Sequence, residues 1–218
     1  MDWNETGRII VVILQILILI SCASAAFFGE WFWVGWGLFS LFVTFIPAIV
    51  QRDMKMQLPV ALTLVITIAL YLHQVGNVNG WYITIPGFDK IAHFTSCATI
   101  AVLAFTLVYI LNRYTSLRMS RELMVIFVVL LTISFGVIWE IGEYTGDLFF
   151  DQDLQHGNDD TMGDLVVDGI GALIIGLISY FYLLTRPDSE FVSTNLVAAA
   201  GEYAKANPYK AKNKKSKK

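Results

Sequence analysis

The sequence predicts an all-α, polytopic membrane protein: a bundle of six transmembrane helices with both termini on the cytoplasmic side. Three observations carry this. First, 56% of the 218 residues are hydrophobic and 15% are charged, where a soluble domain carries about 25% charged residues. Second, six stretches hold no Asp, Glu, Lys or Arg: 9–29, 31–51, 56–88, 91–112, 123–139 and 169–185. A hydrocarbon core of about 30 Å takes about 20 helical residues to cross. Third, lysine and arginine fall at alternate junctions between these stretches, as basic loops retained in the cytoplasm do. A soluble enzyme, a disulfide scaffold and a nucleic-acid-binding domain are excluded.

The first span is placed at about 8–28. Leu19-Ile20-Ser21-Cys22 and Ala23-Ser24-Ala25 resemble signal cleavage sites. A signal has a positively charged start, and here Asp2 and Glu5 oppose Arg8, so the segment is kept as a span. The second span, about 31–50, opens on Trp31, Trp33 and Trp36 and has Pro47 near its end. The third, about 57–75, has Pro59 near its start, where a helix tolerates proline. His73 is alone near its end and reads as an interface histidine. The fourth covers about 90–112, after Trp81 and Tyr82, which with the other tryptophans suit an interfacial aromatic belt. The fifth and sixth lie at about 122–143 and 163–185. Cys22 and Cys97 have no metal-type spacing and read as packing residues.

Orientation follows from charge. Arg8, then Arg52 and Lys55, then Arg113, Arg118 and Arg121, then Arg186 and the tail all fall on one side of a six-span count. The remaining loops hold only Lys90. Residues 186–218 carry eight basic and three acidic residues, and are expected to form a largely disordered cytoplasmic arm that anchors topology and meets anionic lipid. No aromatic platform accompanies the basic run, so no nucleic-acid partner is expected.

The acids fall on the other side. Glu30, Asp89, Glu140, Glu143, Asp147, Asp151, Asp153, Asp159, Asp160, Asp164 and Asp168 are eleven of the eighteen, and nine lie between 140 and 168 with no Lys or Arg among them. The apolar runs 123–139 and 169–185 are 17 residues each, about 26 Å of helix and short of the core. Their flanking turns must therefore enter the membrane boundary, unless the bilayer thins. Glu140, Glu143 and Asp147 share a helical face, as do Asp160, Asp164 and Asp168, and Asp89 and His93 are one turn apart. Like charges at this spacing repel unless compensated. Protonation would compensate them, and so would a divalent cation. Carboxylates with one histidine suit Mg, Mn or Ca, and Zn or Fe with more histidine. The candidate metal ligands are His93, Glu140, Glu143, Asp164 and Asp168, and the candidate catalytic residues are His93, Glu140 and Asp168.

Plainer roles exist for several of these. Thr161-Met-Gly-Asp164 fits a capping box, Asp160 an N-cap and Asp89 a cap of the fourth span. Lys90 reads as a surface lysine or an anion contact, and Asp151 and Asp153 as solvated loop acids. Gly142–Gly146 and Ala172–Gly176 have small-x-x-x-small spacing and would let the last two spans approach.

Phe88-Asp89-Lys90-Ile91-Ala92-His93-Phe94, then Trp139-Glu140-Ile141-Gly142-Glu143, then Asp160-Thr161, Asp164, Asp168 and Gly171-Ala172 resemble the YjdF family (DUF2238 type) of bacterial and archaeal inner-membrane proteins, whose function is unknown. They are more distantly similar to VanZ-like membrane proteins, some linked to glycopeptide resistance. On that comparison Glu143 stands where Gln is usual and Asp168 where Asn is usual. His156-Gly-Asn-Asp-Asp-Thr161 replaces the Pro/Arg turn of the VanZ-like proteins, which favours the YjdF type. The likeness covers 88–176; before that only hydropathy matches. It implies an inner (cytoplasmic) membrane location and no established reaction.

Three functions fit these observations. An outward-facing site binds a divalent cation and does hydrolytic or transfer chemistry on an amphiphilic substrate such as a lipid-linked phosphate. Alternatively, the same carboxylates relay protons or cations in a transporter, or the protein is a non-catalytic membrane subunit binding partner proteins.

Overall fold

In the computed structural model, residues 3–54, 60–114 and 116–185 are described. The basic tail 186–218 and Lys55 and Pro59 of the second junction lie outside them. The regular structure of the described residues is all helix: α1 (Trp3–Phe28), α2 (Trp31–Met54), α3 (Val60–Val78), α4 (Trp81–Thr84), α5 (Phe88–Tyr114), α6 (Arg121–Phe150) and α7 (Asn158–Thr185). All but the one-turn α4 are long and apolar enough to cross a membrane.

Each boundary has a local cause. Gly29 turns α1 into α2 at φ 80° and Gly80 starts α4 at φ 66°, backbone that glycine adopts without a Cβ penalty. Ser120 caps α6 by accepting the Leu123 N–H at 3.3 Å. Pro47 lies inside α2. The last two helices outrun the apolar stretches: α6 continues to Phe150 and α7 begins at Asn158. The acids at 140–147 and 159–168 therefore sit on continuous helix and not in flanking loops. The seven residues left between those helices turn at Asp151 and His156, both with positive φ. The Asp147 carboxylate fixes this loop by accepting the Leu154 and Gln155 N–H groups at 2.6 and 3.0 Å.

The helices run up and down. Lys90 and Asp160 bring the starts of α5 and α7 together. Tyr180 donates to Glu122, joining the end of α7 to the start of α6. Phe32 and Phe150 stack at 5.3 Å, joining the start of α2 to the end of α6. One end of the bundle thus gathers Glu30, Asp89 and all the acids of 140–168. Around that end Phe27, Phe28, Trp31, Ile83, Phe149 and Phe150 are 61–84% exposed, an apolar collar suited to lipid and its interface.

Helices α1, α2 and α3 pack on one another, as do α5, α6 and α7, and α3 against α5 joins the two groups. The apolar core of the second group lies away from the acids, where Ala101, Phe105, Val108 and Tyr109 meet Met124 and Val128. A polar clamp ties the first group: Gln74, fully buried, donates to Ser21 Oγ and the Trp33 carbonyl at 3.3 and 3.2 Å.

The two small-residue spacings part company. A Cβ on Gly176 would come within 2.8 Å of Val129 of α6, so this glycine sets the α6–α7 distance. Gly142 faces open space and Gly146 faces Leu154 of the loop, so the Gly142–Gly146 spacing is not a helix-packing motif. Close approach falls instead to Gly136, whose missing side chain is replaced by the Asp168 carboxylate. Gly176→Leu is expected to destabilise the bundle by about 1–3 kcal/mol through overpacking. Gly142→Ala should leave it unchanged; thermal unfolding in detergent compares the two.

Candidate functional site

The acidic end is organised around two side chains of the first turns of α5. Lys90 and His93 are one turn apart and reach the same carboxylates from two levels.

Lys90 Nζ donates to Asp89 at 2.6 Å, Asp160 at 2.7 Å and Asp164 at 2.9 Å. It is therefore neither a plain surface lysine nor a free anion contact. It is the internal cation that holds α7 against α5, and it satisfies all three donor positions of an ammonium. This revises the capping assignments. Helix α7 starts at Asn158, so Asp164 lies in its second turn and forms no capping box with Thr161. Asp160 lies inside the first turn and serves Lys90, and is also 3.6 Å from His156 Nδ1.

His93, 3% exposed, sits one turn deeper. Its Nδ1 faces three carboxylate oxygens: Asp168 at 3.7 Å, Asp164 at 3.8 Å and Glu140 at 4.0 Å. Its Nε2 faces Asp89 at 3.7 Å. These separations exceed hydrogen-bond length. Among the described residues, His93 Nε2 and both Glu140 oxygens make no hydrogen bond of good geometry; the Thr161 hydroxyl, which makes none either, is close enough to act on the Glu140 carboxyl. Glu140 is 5% exposed, and an anion so buried and unpaired costs several kcal/mol unless it takes a proton or a cation. Its depth is measurable on α6: ten residues, about 15 Å of rise, separate it from Phe150 at the helix end.

Two groups of donors lie close enough to hold one ion: Asp89, His93 and Asp164, and His93, Glu140 and Glu143. Asp168 adjoins both through His93. Donors around a tetrahedral ion with bonds of about 2.1 Å stand roughly 3.4 Å apart. His93 Nδ1 stands 3.7–4.0 Å from the Asp168 and Glu140 oxygens, and the donors within each group lie within 4.8 Å of one another, so binding would draw them together. The second group suits a cation better, because Lys90 already compensates the first.

The cluster opens on a cavity of about 450 Å³ at the seam between the two helix groups. His73, His93, Ser96 and Asp168 line its upper part, while Val43, Ile46, Leu62 and Leu103 belong to its apolar wall. Cys97 also lines it, donating through Sγ to the Asp168 carbonyl at 3.0 Å.

The remaining acids separate by position. Asp147 ties the loop, and Asp151 and Asp153 are exposed. Glu143 stays within reach of His93 and Glu140 and accepts the Trp139 indole N–H at 2.8 Å, so it lies between the cluster and the aromatic side.

His73 is satisfied at both nitrogens, by Tyr82 Oη at 2.6 Å and Ser96 Oγ at 3.1 Å. Burial pushes the Tyr82 phenol well above its ordinary pKa, and Asp89, Glu143 and Asp164 add to the shift, so it stays protonated. Tyr82 and Ser96 are site residues that sequence spacing missed. Nothing in the pattern announced the turn of α4 that sets Tyr82 beside His73. Ser96 differs from Thr95, Thr99 and Thr106 of the same helix, which bond the carbonyl four residues back.

Removing the Lys90 charge tests the cation's role. Lys90→Met leaves Asp164, 1% exposed, without its partner. Because Lys90 is itself 35% exposed, the cost is expected at about 1–3 kcal/mol, below that of a fully buried pair. Adding Asp164→Asn should recover part of it, and thermal unfolding of the single and double variants measures both.

A family profile described as "Predicted membrane protein (DUF2238)" matches residues 7–185. A relative from Thermotoga maritima, described as an uncharacterized protein, is 29% identical over 179 residues, covering 81% of this chain and 90% of its own. No solved structure matches. The more distant VanZ-like resemblance is not confirmed by these matches. The chain is a member of the DUF2238 family of membrane proteins.

Proposed function

We propose that the His93 cluster is a divalent-cation site facing the outer side of the cytoplasmic membrane, and that it serves hydrolytic or transfer chemistry on an amphiphilic substrate such as a lipid-linked phosphate. The observation that carries this reading is Glu140: a buried carboxylate without a hydrogen-bond partner, beside a histidine nitrogen that faces three carboxylate oxygens. Six acids converge here, Asp89, Glu140, Glu143, Asp160, Asp164 and Asp168, against the single fixed cation of Lys90. That excess of negative charge is met by protons or by a further cation, and a divalent cation is the form this reading takes.

His93, Glu140 and Asp168 would hold the ion, with Asp164 and Glu143 at its sides. When bound, it would neutralise phosphate charge and make water more acidic. The Glu140 oxygen not turned to the ion would be placed to take a proton from an attacking hydroxyl and return it to a leaving group, while His93, as a ligand, would orient the ion. Asp168, pressed against the backbone at Gly136, keeps its carboxylate in one position. The cavity beneath suits the tail. From His93 to Leu103 along α5 is about 15 Å, half of a hydrocarbon core of about 30 Å. A substrate with one leaflet-deep apolar chain would seat it there with its head at the carboxylates.

Metal analysis of the purified protein tests the reading. The wild type is expected to retain about one equivalent of a divalent metal through dialysis, and Glu140→Gln and Asp168→Asn to retain a tenth of that or less. Both variants should keep the wild-type helicity. If neither substitution changes the metal content, the cluster is not a cation site.

A further inference from the structure

We propose that a second, smaller cavity beside the cluster binds a quaternary ammonium group, held by the faces of Phe32, Trp33, Trp36, Tyr82 and Trp139 and by the Glu143 carboxylate. The cavity has a volume of about 220 Å³ and these six residues are among its lining. That is below the 300–1,000 Å³ typical of pockets for drug-sized ligands, and suits a single compact head group.

Its walls have the chemistry of a cation box. Aromatic faces carry negative quadrupole charge and attract a cation within about 6 Å of the ring. The walls meet at steep angles: Phe32 and Trp33 at 85°, Trp36 and Trp139 at 70°. Two long helices and α4 contribute these rings to one small space, since Phe32, Trp33 and Trp36 come from α2, Tyr82 from α4 and Trp139 from α6.

Charge points the same way. Glu143 borders this cavity and not the larger one. The Trp139 indole orients it at 2.8 Å. Among the described residues no lysine or arginine pairs with it. A cationic head group in this cavity would meet the Glu143 carboxylate from the aromatic side, while His93 and Glu140 stand near it on the other.

The polar inventory favours a substituted ammonium over a primary amine. A primary ammonium has three N–H donors to satisfy. Besides Glu143, the side-chain acceptors of the lining are the Asn77 amide oxygen, His73, whose ring nitrogens are both engaged, and Tyr82, whose hydroxyl bonds His73; the tryptophan N–H groups only donate. A quaternary nitrogen makes no such demand and presents its methyl groups to the rings. Phe32 and Trp33 lie in the first turn of α2, at the level of the exposed collar formed by Trp31, Phe149 and Phe150. A lipid choline head and a free quaternary amine would both reach this depth.

Titration calorimetry on the full-length protein in phosphatidylglycerol nanodiscs tests the proposal, with tetramethylammonium and choline as probes and 3,3-dimethylbutan-1-ol as the uncharged isostere of choline. Saturable binding of both cations is expected, with the isostere at least tenfold weaker. Trp33→Leu, Trp36→Leu and Glu143→Gln should each weaken choline fivefold or more, while Trp33→Phe, which keeps a ring face, stays within about threefold of wild type. Circular dichroism on each variant identifies any that fail to fold. Metal content of Trp33→Leu should equal that of the wild type, which separates this site from the cation cluster. Repeating the titration in phosphatidylcholine nanodiscs identifies the source: lost choline binding assigns the box to lipid heads, retained binding to free amines. Absence of saturable tetramethylammonium binding, an isostere as tight as choline, or folded Trp33→Leu and Trp36→Leu variants that bind as wild type would each overturn the proposal.

Discussion

Lys90 Nζ stands 2.6–2.9 Å from three carboxylates, and that contact decides where the rest of the acidic end can lie. Asp89 is its neighbour in sequence, but Asp160 and Asp164 belong to α7. The ion contacts therefore dock one helix start on another where like charges would otherwise drive them apart. With α7 held there, Asp164 and Asp168 face His93 and the acid face of α6. Hydrocarbon around the bundle gives the carboxylates no water to retreat to, so each must find a donor, a proton or a cation inside.

Two compartments result from one seam. The helix groups α1–α3 and α5–α7 join along α3 and α5, and α2 faces α6 across the remaining space. Near the acidic end the facing side chains are aromatic: Trp36 on Trp139 at 5.6 Å and Phe32 on Phe150 at 5.3 Å. Deeper in the membrane they are aliphatic and enclose the larger cavity. His73 borders both, held by Tyr82 on one side and Ser96 on the other. Its fixed ring forms part of the partition between the apolar chamber and the aromatic one.

The six spans were legible because the solvent imposes them: a charge-free stretch of about 20 residues has few other uses. The cluster was legible in part for the same reason. Glu140 and Asp168 stand out next to apolar runs, and helical periodicity places them with Glu143 and Asp164 on inward faces. What the periodicity could not show is pairing across helices. Lys90 read as a surface group because its partners lie 70 and 74 residues away in the chain. Asp147 shares a face with Glu140 and Glu143 by spacing, yet the bend after Phe150 brings backbone N–H groups to it and makes it a loop tie. The Gly142–Gly146 spacing failed for a related reason, since the neighbour it meets is a loop leucine and not a helix.

Every ionisable member of the cluster, from Asp89 to Asp168, comes from three consecutive helices, α5, α6 and α7. The first half of the chain adds rings, an apolar wall and polar clamps of its own, but none of these charges. The protein is thus divided between a half whose side chains must be particular and a half that must chiefly have the right shape and oiliness. Substitution in the two halves is constrained differently. A carboxylate at 140 or 168 has few chemical equivalents, whereas many apolar residues can line a wall. The recognisable motifs accordingly fall between 88 and 176, but the family profile itself runs from residue 7 to 185, so the likeness extends over the first half as well and is more than a match of hydropathy there. It also means that, during synthesis, the helices that shelter the site enter the membrane before the charges they are to shelter.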